Sequence, residues 1–236
     1  MRWIRSGNKI MMSGLNYETI HLYNGVETKL ESDYQDWNMK KIILASASPR
    51  REELLKLIGL TFKVEPSNCQ ENLSLDLEPQ ELARSLSLEK ARLVAQKHKN
   101  ALVIAADTFI VFKNKILGKP NTKTEAREML QTLNGKPHLV ITGFTIIDTD
   151  TGKAVSKAVK TKVHLKKLNS NEIDAYVESK EPLDKAGAYA IQGLGSVIVE
   201  KIEGDYFNVI GLPLSALAES LKEFGVHVLS RTPQVS

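Results

Sequence analysis

The stretch IILASASPRREELLKLIGL, residues 42–60, decides how the rest of the chain is read. Ile42, Ile43 and Leu44 make a short unbroken apolar run, the pattern of a buried strand. Pro49, well suited to a first helical turn, then opens a segment with apolar residues at Leu54, Leu55, Leu57 and Ile58. Gly59 closes it, which predicts a helix over 49–58. Outward from this strand–helix unit the alternation continues, with a strand over 61–65, a helix over 79–98 and a strand over 102–106, the pattern of an α/β domain. TFIVFKNKILGKP reads as a hairpin turning near Lys113 and Asn114, followed by a helix over 124–133. Two long strands then turn at Asp150, Thr151 and Gly152, and a helix follows over 170–178. After the loop EPLDKAGAYAIQG come a hairpin turning at Glu203, Gly204 and Asp205 and a last helix over 213–224. Long antiparallel pairs beside parallel ones make the expected fold an elongated mixed sheet flanked by helices.

The same stretch poses an electrostatic question. Arg50 and Arg51 fall in the first helical turn, where the free N–H groups already carry partial positive charge and an added cation costs a few tenths to about 1 kcal/mol. Helical side chains lean toward the N-terminus, so both guanidinium groups can share the space in front of the helix with the hydroxyls of Ser46 and Ser48. A phosphate there reverses the sign of the interaction. The competing reading pairs the arginines with Glu52, Glu53 or solvent and makes Ser48 an ordinary N-cap.

With 236 residues, 42% of them hydrophobic and 25% charged, the chain is long enough to bury a sizeable core. The single cysteine, Cys69, excludes an internal disulfide and fits a reducing compartment. The five histidines are scattered and carry no assigned chemistry. A net charge of +4 admits nucleic acid, a membrane surface or a small polyanion as partner. The densest basic segment, KAVKTKVHLKK, alternates with apolar residues as a solvated strand face would and lacks aromatics for base stacking, which argues against nucleic acid. No apolar run approaches the ~20 residues of a membrane span. Residues 1–38 show no sustained period and read as a flexible extension. Arg2, Arg5 and Lys9 without an acid in the first 17 residues hint weakly at a transit peptide, with a start at Met39 as the alternative. Residues 39–230 then form the domain and 231–236 a tail.

Asp107 is the most conspicuous carboxylate, because LVIAADTFIVF embeds it in an apolar strand where it needs a partner. Lys90 falls on the helical face of Leu82, Ala83, Leu86, Leu93 and Val94, so its ammonium starts from the buried side, unless it snorkels as Lys97 would. Lys119 in GKP and Lys185 in DKAG are loop lysines that say little alone. Together these residues suit a magnesium-bound triphosphate, with cations neutralising phosphates and carboxylates holding a hard metal and activating water. Neither G-x-x-x-x-G-K-[ST] nor G-x-S-x-G occurs, which disfavours a P-loop NTPase and an α/β-hydrolase.

LASASPRREELL, LEKAR, AADT, GKP, EPLDKAGAYAIQGLGS and GDYFNVIGLPL, in this order, closely resemble the Maf family of nucleoside triphosphate pyrophosphatases over about residues 40–225. The resemblance implies hydrolysis of a nucleoside triphosphate to the monophosphate and pyrophosphate, a divalent cation (Mg²⁺ or Mn²⁺), a fold related to the inosine triphosphatases, a homodimer and a cytoplasmic location. Residue by residue, Ser46, Arg50 and Arg51 match the phosphate-binding loop, Lys90 and Lys119 the two triphosphate-contacting lysines, and Asp107 the catalytic aspartate. Glu71 in CQEN matches the metal carboxylate, with Gln70 where an acid is common. By the same resemblance Glu71 and Asp107 are the metal ligands. Arg50, Thr108 and Gln192 match the triplet of the subgroup that prefers dTTP and UTP. The implied reaction is thus release of pyrophosphate from dTTP, UTP or modified pyrimidine triphosphates. Two alternatives are a non-catalytic regulator of septation that binds nucleic acid or protein, and a 7-methyl-GTP pyrophosphatase.

Overall fold

The computed structural model describes residues 40–69 and 77–229 in full and, before them, the backbones of four short strands. Those four make two antiparallel pairs, β1 (Trp3–Ser6) with β2 (Lys9–Met12) and β3 (His21–Tyr23) with β4 (Val26–Thr28), within a unit spanning Met1–Met39. The second unit spans Lys40–Ser236. The proposed flexibility of residues 1–38 and the tail 231–236 fall largely or wholly outside the described residues.

In the second unit β5 (Lys41–Leu44) lies between β6 (Phe62–Val64) and β7 (Ala101–Phe112), parallel to both. β7 pairs antiparallel with β8 (Lys115–Leu117) and along almost its whole length with β9 (Pro137–Asp148), which pairs with β10 (Ala154–Leu165), which pairs with β11 (Val199–Glu203). The result is the expected mixed sheet, seven-stranded in the order β11-β10-β9-β7-β5-β6 with β8 on β7. The helices are α1 (Pro49–Leu57), α2 (Pro79–Ala95), α3 (Lys123–Leu133), α4 (Ser170–Glu178), α5 (Tyr206–Ile210) and α6 (Leu214–Lys222).

Local signals set most of these boundaries. Thr122 caps α3 by accepting from the Glu125 N–H at 3.1 Å, and Asn169 with Glu172 forms a capping box on α4. Two expectations need correction. Leu57 is 64% exposed, because it lies about 200° round the helix from buried Leu55. The hairpin expected at 203–205 is instead strand followed by helix: Asp205 accepts from the Asn208 N–H at 3.1 Å and starts α5 where a return strand was expected.

β7 sorts its side chains by alternation. Leu102, Ile104 and Ala106 join a cluster with Leu54 and Leu55 of α1 and Leu217 and Leu221 of α6. Ala101, Val103 and Ala105 pack with Ala91 and Val94 of α2. Gly143 of β9 lets α2 settle on the sheet, since a Cβ there would lie 2.0 Å from the Ala83 carbonyl oxygen. Gly143 is also the cross-strand partner of Asp107, so α2 and its lysine are brought down beside that aspartate.

Candidate active site

Asp107 and Thr108 are neighbours on β7 and therefore point to opposite faces of the sheet. On the α2 face, Asp107 is 3% exposed and Lys90 7%. Lys90 Nζ donates to Asp107 Oδ1, an ion pair sealed from water. The helical-face reading of Lys90 is right except at Leu93, which is 37% exposed, while Ser87 and Ala91 fill the buried stripe. Ser87 Oγ lies 2.8 Å from Thr145 Oγ1 and anchors α2 one turn before the lysine. Lys97, by contrast, is at the surface, 3.8 Å from Glu65.

On the opposite face a polar cavity opens beyond the end of β5. It is walled by Ser48, Arg50 and Arg51 from the start of α1, Thr108 of β7, Lys119, the segment Asp184 to Gln192 and the end of α5 at Gly211. Arg51 spans this wall. Its Nε donates to the Gly211 carbonyl at 2.8 Å, Nη1 to Ser46 Oγ at 3.1 Å and Nη2 to Thr108 Oγ1 at 3.0 Å. Thr108 Oγ1 is 2.9 Å from Thr142 Oγ1, and Thr142 donates to the Asn208 carbonyl at 2.8 Å. Each hydroxyl has one proton, so the direction follows: Arg51 donates to Thr108, Thr108 to Thr142, Thr142 to Asn208. Toward the cavity, Thr108 can only accept.

Ser46 is buried and also accepts from the Ser48 N–H at 3.2 Å, so the two serines divide the work: Ser46 braces Arg51, and Ser48 faces the cavity. Ser48 occupies the N-cap position of α1 without a side-chain cap bond, so the ordinary-cap reading does not hold. Asp184, paired with Lys185, is held below the ordinary carboxylate range: burial pushes it up, but the Lys185 hydrogen bond and the charges of Lys185 and Arg50 outweigh that. At the back wall, Tyr189 Oη lies 2.6 Å from Nε2 of buried His138, whose pKa burial drives down to about 4.

The cavity therefore unites Arg50, Arg51, Thr108, Lys119 and Gln192, while Asp107 and Lys90 sit together across the strand. Glu71 lies outside the described residues. Among the described residues no group of three or more His, Cys, Asp or Glu could hold a metal. The sequence reading missed Asp184, Tyr189, Thr142 and Asn208. DKAGAY was the only hint, since nothing local marks a threonine or asparagine as the backing of a distant arginine.

The fold and this site define an α/β protein with a cation-walled cavity suited to an anionic small molecule. More particularly, residues 41–224 match the Maf-like protein family, and the chain belongs to it. It is 49% identical over 191 residues to a dTTP/UTP pyrophosphatase of Bacillus cereus, covering 81% of this chain and 93% of that protein. Proteins of the same description from Bacillus anthracis (50% over 190 residues) and Methanococcoides burtonii (51% over 191 residues) each share 80% of this chain and 98% of their own length. Among the described residues no helix is long and apolar enough to cross a membrane.

Proposed function

We propose that this chain hydrolyses dTTP and UTP to the monophosphate and pyrophosphate. The observation that carries this reading is that Arg50, Thr108 and Gln192, from three distant segments, line one cavity together with the cations Arg51 and Lys119. Water adds to the α-phosphorus, the bond from that phosphorus to the bridging oxygen breaks, and pyrophosphate leaves with the electron pair. The family resemblance gives Asp107 the proton of the attacking water; because Asp107 lies across β7 from the cavity and is paired with Lys90, that role requires the pair to open toward the bound triphosphate. Arg50 and Lys119 offset the charge that develops on the leaving group, and Arg51, held by Gly211, Ser46 and Thr108, shapes the phosphate end of the cavity.

By the family resemblance Asp107 and Glu71 would hold a hard divalent cation, Mg²⁺ or Mn²⁺; Asp107 supplies the anionic oxygens such an ion takes, but its Oδ1 is engaged by Lys90, which the cation would have to displace. Bound there, the cation would supply charge neutralisation at the phosphates and a more acidic water. Gln192 is half-buried, and among the described residues its carboxamide has no hydrogen-bond partner, which leaves it available to accept from N3–H and donate to O4 of uracil or thymine. The reading extends to a cytoplasmic homodimer, which size-exclusion chromatography with light scattering would check. The deciding experiment incubates the protein with each nucleoside triphosphate and Mg²⁺ and measures pyrophosphate. Release from dTTP and UTP well above release from CTP, GTP and 7-methyl-GTP is the expected result. No release from any of them would overturn this reading in favour of the alternative, a non-catalytic regulator of septation.

A further inference from the structure

Gln192 sits in the segment Ala190–Gly195, and both ends of that segment close on one carboxylate. The Ala190 N–H donates to Tyr176 Oη at 3.1 Å, and Tyr176 Oη donates to Glu181 Oε1 at 2.9 Å. At the far end the Gly195 N–H donates to the same Oε1 at 2.8 Å and the Leu194 N–H to Oε2 at 3.0 Å. The backbone passes so near that side chains are excluded. A Cβ on Gly193, whose φ is +69°, would stand 2.4 Å from Glu181 Oε2, and one on Gly195 would stand 2.0 Å from the Ala190 carbonyl and 2.7 Å from Tyr176 Oη. The glycines of IQGLG are thus the cost of wrapping a loop tightly over a carboxylate and a phenol.

A carboxamide on free torsions can present either its oxygen or its nitrogen to a base edge, so discrimination depends on how firmly its backbone is held. We propose that Glu181 and Tyr176 are positioning residues for nucleobase selection: they clamp Ala190–Gly195 and thereby fix where Gln192 meets the base. The proposal rests on the pyrimidine triphosphate reading above. Glu181 is well suited to the task. Burial pushes its carboxyl up, but the Gly195, Tyr176 and Leu194 hydrogen bonds together hold it below the ordinary range, so all three acceptor positions persist at neutral pH. Tyr176 is held as a neutral phenol, chiefly by burial, and its ring belongs to the cluster formed with Ile173 and Val177 of α4, so its hydroxyl can be removed while the packing stays.

Tyr176→Phe and Glu181→Gln test the clamp through two readouts, amide hydrogen exchange at Ala190, Leu194 and Gly195, and kcat/KM for UTP against CTP. In Tyr176→Phe, exchange at Ala190 should accelerate and the UTP:CTP ratio should fall about tenfold, the order expected for losing the bonds that order the loop. The loss should lie mainly in KM for UTP, with kcat on CTP within about twofold of wild type. Glu181→Gln keeps one acceptor oxygen and should fall between wild type and Tyr176→Phe. It also serves as the test should the phenylalanine variant fail to fold. Equal losses on UTP and CTP, or a ratio that stands while exchange accelerates, would overturn the role in selection. Wild type that releases no pyrophosphate from UTP would overturn the functional reading itself, and this proposal with it, before any variant is made.

Discussion

On the α2 side of β7, Asp107 and Lys90 are packed out of water, each the other's counter-charge. On the α1 side, one residue further along, Thr108 opens onto a cavity where, among the described residues, neither Arg50 nor Lys119 forms an ion pair. A pair taken out of water must be complete to be tolerated, whereas cations at an open wall can wait for a ligand. The first arrangement keeps one carboxylate in one place. The second keeps charge available for an anion that comes and goes.

Breaking the buried pair should have the largest effect. Asp107→Asn removes the proton acceptor and leaves Lys90 buried without that counter-charge, so pyrophosphate release should fall by about 10²-fold or more, and stability by roughly 3–5 kcal/mol. Adding Lys90→Met should restore much of the thermal stability and none of the activity. Recovery of turnover in the double variant would show that Asp107 is structural.

At the back of the cavity, His138 probes how far burial extends there. Its folded pKa of about 4 lies below the ordinary 6.5, so the unfolded chain takes up the proton first. The stability it contributes is complete above pH 6.5 and is lost as pH falls toward 4, on the order of 3 kcal/mol. Urea midpoints measured across that range should fall less steeply in His138→Gln than in wild type. Parallel slopes would mean that the ring packed edge-on against Tyr189 stays solvated enough to titrate normally.

Gln192→Glu sharpens the open side of the comparison. The carboxylate keeps the shape but loses the donor to O4, so kcat/KM on UTP and dTTP should drop roughly ten- to a hundredfold, with guanine nucleotides less affected. A parallel decline on all four nucleotides would place Gln192 in the loop's support instead. Smallest of these effects, Thr142→Val cuts the relay behind Thr108 and should cost about 1–2 kcal/mol in unfolding free energy. A variant as stable as wild type would show that water takes over from the hydroxyl.

Much of the architecture was legible because it rests on short-range rules. The strand–helix unit at 42–58, the helices read over 124–133 and 170–178, the turn at 150–152 and the buried face of α2 all derive from periodicity and local hydrogen bonding. The failure at 203–205 has the same source: Gly204 and Asp205 are turn residues in either reading, and only the bond from the Asn208 N–H to Asp205 turns the next five residues into a helix.

Residue type and local period were enough to mark out the positions that had to be explained: an aspartate in an apolar strand, a lysine on an apolar helical face, and two arginines at a positive helix end. Tertiary structure alone settled that Lys90 answers Asp107, that Arg51 is braced by Ser46, Thr108 and Gly211, and that Tyr176 and Glu181 hold the segment bearing Gln192. Most of those pairings join residues far apart in the chain. The pairings of Lys90 with Asp107 and of Arg51 with Thr108 exist because the sheet order brings β7 beside β5 and α2 settles on the glycine of β9, and no local propensity encodes that approach.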